Sequence, residues 1–88
     1  MYKVEISEKA IKNLKQLDKS IARMLLAWIE KNLEGTDNPR IHGKGLSYEK
    51  KGIWRYRVGN YRILASIEDE RLVILLIDFG HRKDIYKE

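Results

Sequence analysis

Residues 53–64, IWRYRVGNYRIL, decide the fold because they predict a tight β-hairpin. Gly59 and Asn60 are a two-residue turn signal between two runs of alternating side chains. A two-residue turn also sets the register of the two strands, so Arg57 is expected directly opposite Arg62. The hairpin therefore predicts both an antiparallel strand pair and a close pair of like charges.

Alternation along the two strands predicts one basic and one apolar face. Three arginines share the first face, which we expect to be exposed: Arg55, Arg57 and Arg62. The second face can pack under helices and carries Trp54, Tyr56, Val58, Tyr61, Ile63 and Ala65. Opposed like charges destabilise a sheet by roughly 0.2–1 kcal/mol per pair. Guanidinium groups bind phosphate oxygens in bidentate fashion, so the cluster indicates an RNA or DNA backbone as ligand. The alternative is two exposed arginines that repel weakly in water, with the third paired to an acid such as Asp78.

The chain before the hairpin predicts one strand and two helices. Residues 2–6 alternate as a short strand, and Ser7 is a candidate helix N-cap. Asp18 separates the two helices and can cap the second, which ends at Gly35. The apolar positions recur at helical spacing: Ala10, Ile11, Leu14 and Leu17, then Ile21, Met24, Leu25, Trp28, Ile29 and Leu33.

A long connection and three strands complete the chain. Residues 36–52 show no periodicity and are expected to form a surface loop. Strands are predicted at 53–58, 61–67 and 72–79, and the last is apolar on both parities, as in a central strand covered on both faces. The predicted fold is an α+β, β-α-α-β-β-β single domain over residues 1–88, with a largely antiparallel sheet and a two-helix hairpin packed on one face.

Composition excludes several classes of protein and concentrates the positive charge. The chain is 35% charged and has no cysteine, which excludes a membrane protein and disulfides and fits a reducing cytoplasm. Its N-terminus lacks the apolar segment of a signal peptide. Residues 40–62 hold seven Lys or Arg against one acid, whereas residues 1–39 hold seven against six. The loop bases Arg40, Lys44, Lys50 and Lys51 are candidate RNA contacts, although a solvated lysine-rich rim would have the same composition.

The C-terminal segment adds further polar side chains. The sequence DFGHRKDIYKE bends at Gly80 and then carries His81, Arg82 and Tyr86. If the last strand ends beside the hairpin, these three side chains can reach the arginines.

The hairpin WRYRVGNYRILASI, followed by an apolar strand and GHRKDIY, resembles the RelE/ParE superfamily of bacterial toxins, most closely its RelE branch. The resemblance spans nearly the whole chain. It implies a type II toxin that enters the ribosomal A site and cuts mRNA by attack of a 2′-hydroxyl on the adjacent phosphate. It also implies no metal or other cofactor, a RelB-like antitoxin in a hetero-oligomer, contact with rRNA and mRNA, no membrane, and a cytoplasmic location.

The same resemblance implies catalytic roles for five residues. The basic pair of the second strand falls on Arg55 and Arg57, the next arginine on Arg62, the arginine after the last strand on Arg82, and the C-terminal tyrosine on Tyr86. This chain departs from the best-known RelE pattern, because arginines replace lysines in the basic pair. Arginine stays protonated and is a poor proton acceptor, so the general base is open. His81 is a candidate because its ordinary pKa suits proton transfer.

Two other functions stay open. A ParE-like toxin would poison DNA gyrase by protein contact on the same fold. A non-catalytic module would bind RNA or antitoxin only.

Overall fold

The computed structural model describes residues 1–45 and 52–85, which form a five-stranded sheet with two helices packed on one face. This α+β architecture confirms the predicted fold class. No helix in the described ranges is long and apolar enough to cross a membrane. The elements are β1 (Lys3–Ile6), α1 (Glu8–Lys15), α2 (Lys19–Asn32), β2 (Lys44–Gly45), β3 (Trp54–Val58), β4 (Tyr61–Glu68) and β5 (Val73–His81).

The sheet has the order β1-β5-β4-β3-β2, so the last strand lies between the first strand and the hairpin. Strand β1 runs parallel to β5, and the other neighbours are antiparallel. The apolar run predicted that the last strand lies inside the sheet, and the position of β5 between two neighbours confirms this. Its helix-side residues Ile74, Leu76 and Phe79 are buried, whereas Leu75 and Ile77 stay partly exposed, so the cover on the second face is incomplete.

The hairpin register agrees with the prediction at every pair. The observed partners are Val58 with Tyr61, Arg57 with Arg62, Tyr56 with Ile63, Arg55 with Leu64 and Trp54 with Ala65. Gly59 has φ 59°, and Asn60 is not among the residues with positive φ. Positive φ at only the first turn position is typical of a type II′ turn, whose twist matches that of the flanking strands.

The helices begin at the predicted caps and supply the other half of the core. The Ser7 hydroxyl accepts a hydrogen bond from the Ala10 backbone N–H at 3.1 Å. Asp18 occupies the N-cap position of α2 but makes no side-chain capping bond. Buried residues of α2 and of the sheet form one cluster, which includes Leu25, Ile29, Leu33, Tyr56, Ile63, Ile74 and Leu76.

The connection predicted to lack regular structure contains the short strand β2, which corrects the prediction. Lys44 pairs with Arg55, and Gly45 pairs with Trp54. Two residues carry no alternation pattern, so only tertiary contacts could reveal this strand. Gly43 allows β2 to lie close to β3, because it has no Cβ. It has φ 82°, and a Cβ at this position would lie 2.1 Å from the carbonyl oxygen of Arg55.

Candidate nucleic-acid interface

The sheet face opposite the helices carries two cross-strand pairs of like charge. Lys44 on β2 lies directly opposite Arg55 on β3, and Arg57 on β3 lies directly opposite Arg62 on β4. We call Lys44, Arg55, Arg57 and Arg62 the basic face. Three adjacent strands therefore bring four cations together, one of them from a segment predicted to be an irregular loop.

Arg62 differs from the prediction, because its side chain is buried. It is 7% exposed, whereas Arg57 opposite is exposed. One terminal nitrogen of Arg62, Nη1, donates to the carbonyl oxygens of Gly59 at 3.0 Å and Tyr61 at 2.8 Å. Both carbonyls belong to the hairpin turn or its flank, and their partial negative charge offsets the repulsion that the register predicts. Arg62 therefore also holds the turn.

A shallow cleft lies between β2 and the basic pair of β3. It has a volume of about 200 Å³ and is lined by Gly43, Lys44, Arg55 and Arg57. Among residues 1–45 and 52–85, the side chains that line it include no acid. Three cations in one cleft favour the binding of a phosphodiester backbone, because positive potential raises the local concentration of polyanions.

The end of β5 lies beside the hairpin turn, which is the condition for the C-terminal side chains to approach the arginines. The Arg82 backbone N–H donates to the carbonyl oxygen of Asn60 at 2.8 Å, and the Arg82 side chain is exposed. The chain then turns back, because the backbone N–H of Ile85 bonds the carbonyl of His81 at 2.9 Å. These bonds place the start of the C-terminal segment at the turn between Arg57 and Arg62.

His81, however, lies on the opposite face of the sheet from the arginines. It pairs with Tyr61, which packs against the core on the helix side, and the two ring centroids are 5.4 Å apart. The His81 Nδ1 atom accepts a hydrogen bond from the Lys83 backbone N–H at 3.1 Å. The expectation that His81 joins the arginines is therefore wrong, and its Nδ1 atom is engaged by the backbone of Lys83.

Arg40 is at the other end of the sheet and is engaged there. Its guanidinium donates two hydrogen bonds of 3.0 Å to the carboxylate of Asp69, which also accepts from the Tyr2 hydroxyl at 2.6 Å. The hydrogen bonds from Arg40, which have the larger effect, and from Tyr2 lower the pKa of the Asp69 carboxyl. The hydrogen bond to Asp69 raises the pKa of the Tyr2 hydroxyl. Asp69 follows Arg62 by seven residues, about 23 Å of extended strand. The structure does not bring Arg40 to the basic face.

The suggested neutralising acid is also engaged elsewhere. Asp78 accepts a hydrogen bond from the Asn13 side chain at 2.5 Å and pairs with Lys9 at 3.4 Å. These contacts attach α1 to β5. The remaining predicted site residues, Lys50, Lys51 and Tyr86, lie outside the described residues.

Two side-chain contacts that no sequence pattern indicates hold β2 in place. The Trp54 indole Nε1–H donates to the carbonyl of His42 at 2.7 Å, and the buried Tyr56 hydroxyl donates to the carbonyl of Pro39 at 2.7 Å. Burial raises the pKa of Tyr56 far above its usual value, so the hydroxyl stays a donor. The glycines at 43 and 45 permit close approach of another strand, but they do not by themselves indicate one.

No group of three or more His, Cys, Asp or Glu side chains in residues 1–45 and 52–85 is arranged to hold a metal ion. The four side chains of the basic face are cations, and hydrogen bonding to anionic oxygens is the chemistry they offer.

Comparison with known proteins identifies the family. A family model described as "ParE toxin of type II toxin-antitoxin system, parDE" matches residues 4–86. The chain is 29% identical over its full length to RelE4 of Methanocaldococcus jannaschii, whose name describes a toxin, and covers 94% of that protein. It is also similar to a chain of the RelBE2 toxin–antitoxin complex from Mycobacterium tuberculosis, with a TM-score of 0.84, 29% identity and coverage of 94% of this chain and 93% of that one.

A second solved relative comes from an archaeon. A chain of the RelE–RelB complex from Pyrococcus horikoshii matches with a TM-score of 0.70 and 28% identity, covering 94% of this chain and 97% of that one. These findings confirm the resemblance drawn from the hairpin and the C-terminal motif. The chain belongs to the ParE toxin family of type II toxin–antitoxin systems, within the RelE/ParE superfamily, and its relatives carry RelE names.

Proposed function

We propose that this toxin cuts mRNA in the ribosomal A site, as an endoribonuclease of the RelE type. The observation that carries the proposal is the basic face, with Lys44 opposite Arg55 and Arg57 opposite Arg62. A sheet that needed only stability would gain from opposite charges at these positions, since cross-strand ion pairs stabilise and like pairs do not. Cations maintained at such positions are suited to bind a phosphate backbone.

The cleavage chemistry requires mainly positioning and charge stabilisation. The 2′-oxygen attacks the adjacent phosphorus, the bond to the 5′-oxygen breaks, and the products are a 2′,3′-cyclic phosphate and a 5′-hydroxyl. Arg55 and Arg57 would bind the phosphate backbone, and Arg82 would neutralise the charge that develops on the phosphoryl oxygens. Donors that are held in place before the reaction are often the largest catalytic term.

Arg62 fits a preorganised role in this scheme. Its Nη1 donates to two turn carbonyls, so the position of its guanidinium is fixed before RNA binds. A cation fixed in this way loses little side-chain entropy when it stabilises charge on the phosphate. Tyr86 would stack on a base or orient the attacking hydroxyl.

The proposed partners follow from the family and from the charge. The solved relatives from Mycobacterium tuberculosis and Pyrococcus horikoshii are described as toxin–antitoxin complexes. We propose a RelB-like antitoxin whose acidic or amphipathic segment covers the basic face, in a hetero-oligomer. The ribosome and its mRNA would replace the antitoxin when the toxin is free.

Cleavage of mRNA on programmed ribosomes tests the proposal. Primer extension would map the mRNA ends after addition of the wild-type protein, Arg57→Ala and Arg23→Ala. Arg57 lies on the basic face, whereas Arg23 is exposed on α2 and serves as the matched loss of charge. We expect A-site cuts from the wild type and Arg23→Ala, and at least roughly tenfold less from Arg57→Ala. Equal cutting by both variants would contradict the role of the basic face.

A gyrase poison is the second candidate, because the matching family model is described as a ParE toxin. Trapped gyrase–DNA complexes, together with intact mRNA on programmed ribosomes, would favour this function. If neither activity appears and the protein still binds an antitoxin, the non-catalytic alternative holds.

A further inference from the structure

The proposed reaction needs a group that accepts the proton of the 2′-hydroxyl. Arg55, Arg57 and Arg62 stay protonated and cannot accept it. His81 contacts Tyr61 on the helix side of the sheet, and its Nδ1 already accepts a backbone hydrogen bond. The basic face therefore needs a different proton acceptor.

Lys44 is the one member of the basic face that can exchange a proton. An uncharged lysine amine accepts protons, and enzymes use it as a general base. A guanidinium does not act as a general base. Lys44 is exposed, stands directly across from Arg55, and lines the same cleft as Arg57. The cations that would bind the scissile phosphate are thus its immediate neighbours.

The backbone position of Lys44 is fixed by contacts between β3 and the two residues that precede Lys44. Gly43, with φ 82°, allows the chain to pass against the Arg55 carbonyl, where a Cβ would lie 2.1 Å from the oxygen. The Trp54 indole holds the carbonyl of His42, two residues before Lys44, at 2.7 Å. A proton acceptor must lie within hydrogen-bond reach of its substrate. The backbone of Lys44 is held in place as that requires, whereas a lysine on an irregular surface loop would not be.

The charged neighbours of Lys44 in residues 1–45 and 52–85 lie on β3 and on the segment before β2. Strand β2 is at the edge of the sheet, and β3 is its neighbour there. In the described ranges, the charged side chains that face Lys44 from β3 are Arg55 and Arg57. On its own segment, Arg40 is bound to Asp69, and the His42 ring contacts Trp28 on α2.

We propose that Lys44 is the general base of the cleavage reaction, an inference that rests on the proposed ribonuclease function. The lone pair of the Lys44 Nζ atom takes the proton of the 2′-hydroxyl as the bond from the 2′-oxygen to phosphorus forms. The bond from phosphorus to the 5′-oxygen breaks, and that oxygen takes a proton from water. The Lys44 ammonium then returns its proton to the solvent, so no net proton or water is consumed.

The charge-conserving variant Lys44→Arg separates proton transfer from phosphate binding. Single-turnover cleavage on programmed ribosomes would be compared for the wild type, Lys44→Ala, Lys44→Arg and the control Lys31→Arg, which changes an exposed lysine on α2. General bases contribute about 100-fold or more, so Lys44→Arg and Lys44→Ala should both be about 100-fold slower than the wild type. Lys44→Arg should bind the ribosome as tightly as the wild type does. Lys31→Arg should cut mRNA as fast as the wild type does.

The pH dependence gives a second readout that a merely structural role would not change. The ratio of the wild-type rate to the Lys44→Ala rate should rise with pH between about pH 6 and pH 9, since the acceptor acts only when it is uncharged. Cutting by Lys44→Arg within about threefold of the wild type would overturn the proposal. A loss of ribosome binding by Lys44→Arg as large as its loss of cutting would also overturn it. So would a ratio of the wild-type rate to the Lys44→Ala rate that does not change with pH. If the wild type itself leaves mRNA intact, the proposed function fails first, so the two failures are distinguishable.

Discussion

Gly43→Ala should detach β2 from the sheet and move Lys44 away from Arg55. Two costs follow from the geometry. A Cβ at φ 82° is strained by about 1–2 kcal/mol, and it would lie 2.1 Å from the Arg55 carbonyl oxygen and 2.8 Å from the Trp54 indole nitrogen. Since backbone cannot yield to such contacts, the pairing of β2 with β3 should break.

Gly52→Ala is the matched control for Gly43→Ala. Gly52 has φ 89°, but no atom of the residues that the structure describes lies within 4 Å of the position that an alanine methyl group would take, so this variant suffers the backbone strain without the clash. Loss of the Trp54–His42 bond and of the ladder bonds between β2 and β3, at about 0.5–1.5 kcal/mol each, should make Gly43→Ala less stable than Gly52→Ala by roughly 1–4 kcal/mol.

Urea denaturation measures this difference, and the indole N–H resonance of Trp54 reports the bond to His42 directly. We expect that resonance to move in Gly43→Ala and to stay in place in Gly52→Ala, with slower mRNA cutting in the former only. Equal free energies of unfolding and an unchanged Trp54 resonance in both variants would refute the reasoning that Gly43 seats β2.

Three further predictions concern the C-terminal arginine and the far end of the sheet. Arg82→Ala should abolish mRNA cutting while its circular dichroism and thermal midpoint stay those of the wild type, because the Arg82 side chain is exposed; unchanged cutting would remove Arg82 from the site. Asp69→Asn should be less stable than the wild type at neutral pH, because Arg40 lowers the pKa of Asp69 in the folded protein. That stability is present above the unfolded pKa of about 3.9 and is lost as pH falls through the lower folded pKa, so urea denaturation should show the two proteins converging in acid; a constant gap would contradict this assignment. Leu72→Gly should raise the free energy of unfolding by up to about 1 kcal/mol, because Leu72 is exposed and has φ 54°; a loss of stability in urea would show that side-chain contacts outweigh the strain.

The hairpin could be predicted in full because its determinants are local. A two-residue turn at Gly59 and Asn60 sets the register, and strict alternation then assigns each side chain to a face. The basic pair of β3 and its opposition to Arg62 follow from these two facts. The burial of Arg62 does not, because its guanidinium bends back onto carbonyls of the turn, which alternation does not describe.

The face of His81 depends on one extra residue far from the turn. Leu64 pairs with Asp78, but Ala65 pairs with Leu76, so Ile77 is inserted in β5. A bulge of one residue exchanges the faces of every side chain beyond it, which puts His81 beside Tyr61 and away from the arginines. Strand β2 could not be predicted either, because two residues have no period and its pairing depends on Gly43 and Trp54.

The proposed role of the basic face is to promote attack by the RNA's own 2′-hydroxyl. It is tested most directly on ribosomes programmed with two mRNAs that differ only by a 2′-deoxy nucleotide at the cut position. We predict cutting of the all-ribose mRNA, a 2′,3′-cyclic phosphate at its new end, and no cutting of the 2′-deoxy mRNA. Equal cutting of both mRNAs, or intact mRNA in both cases, would contradict the account.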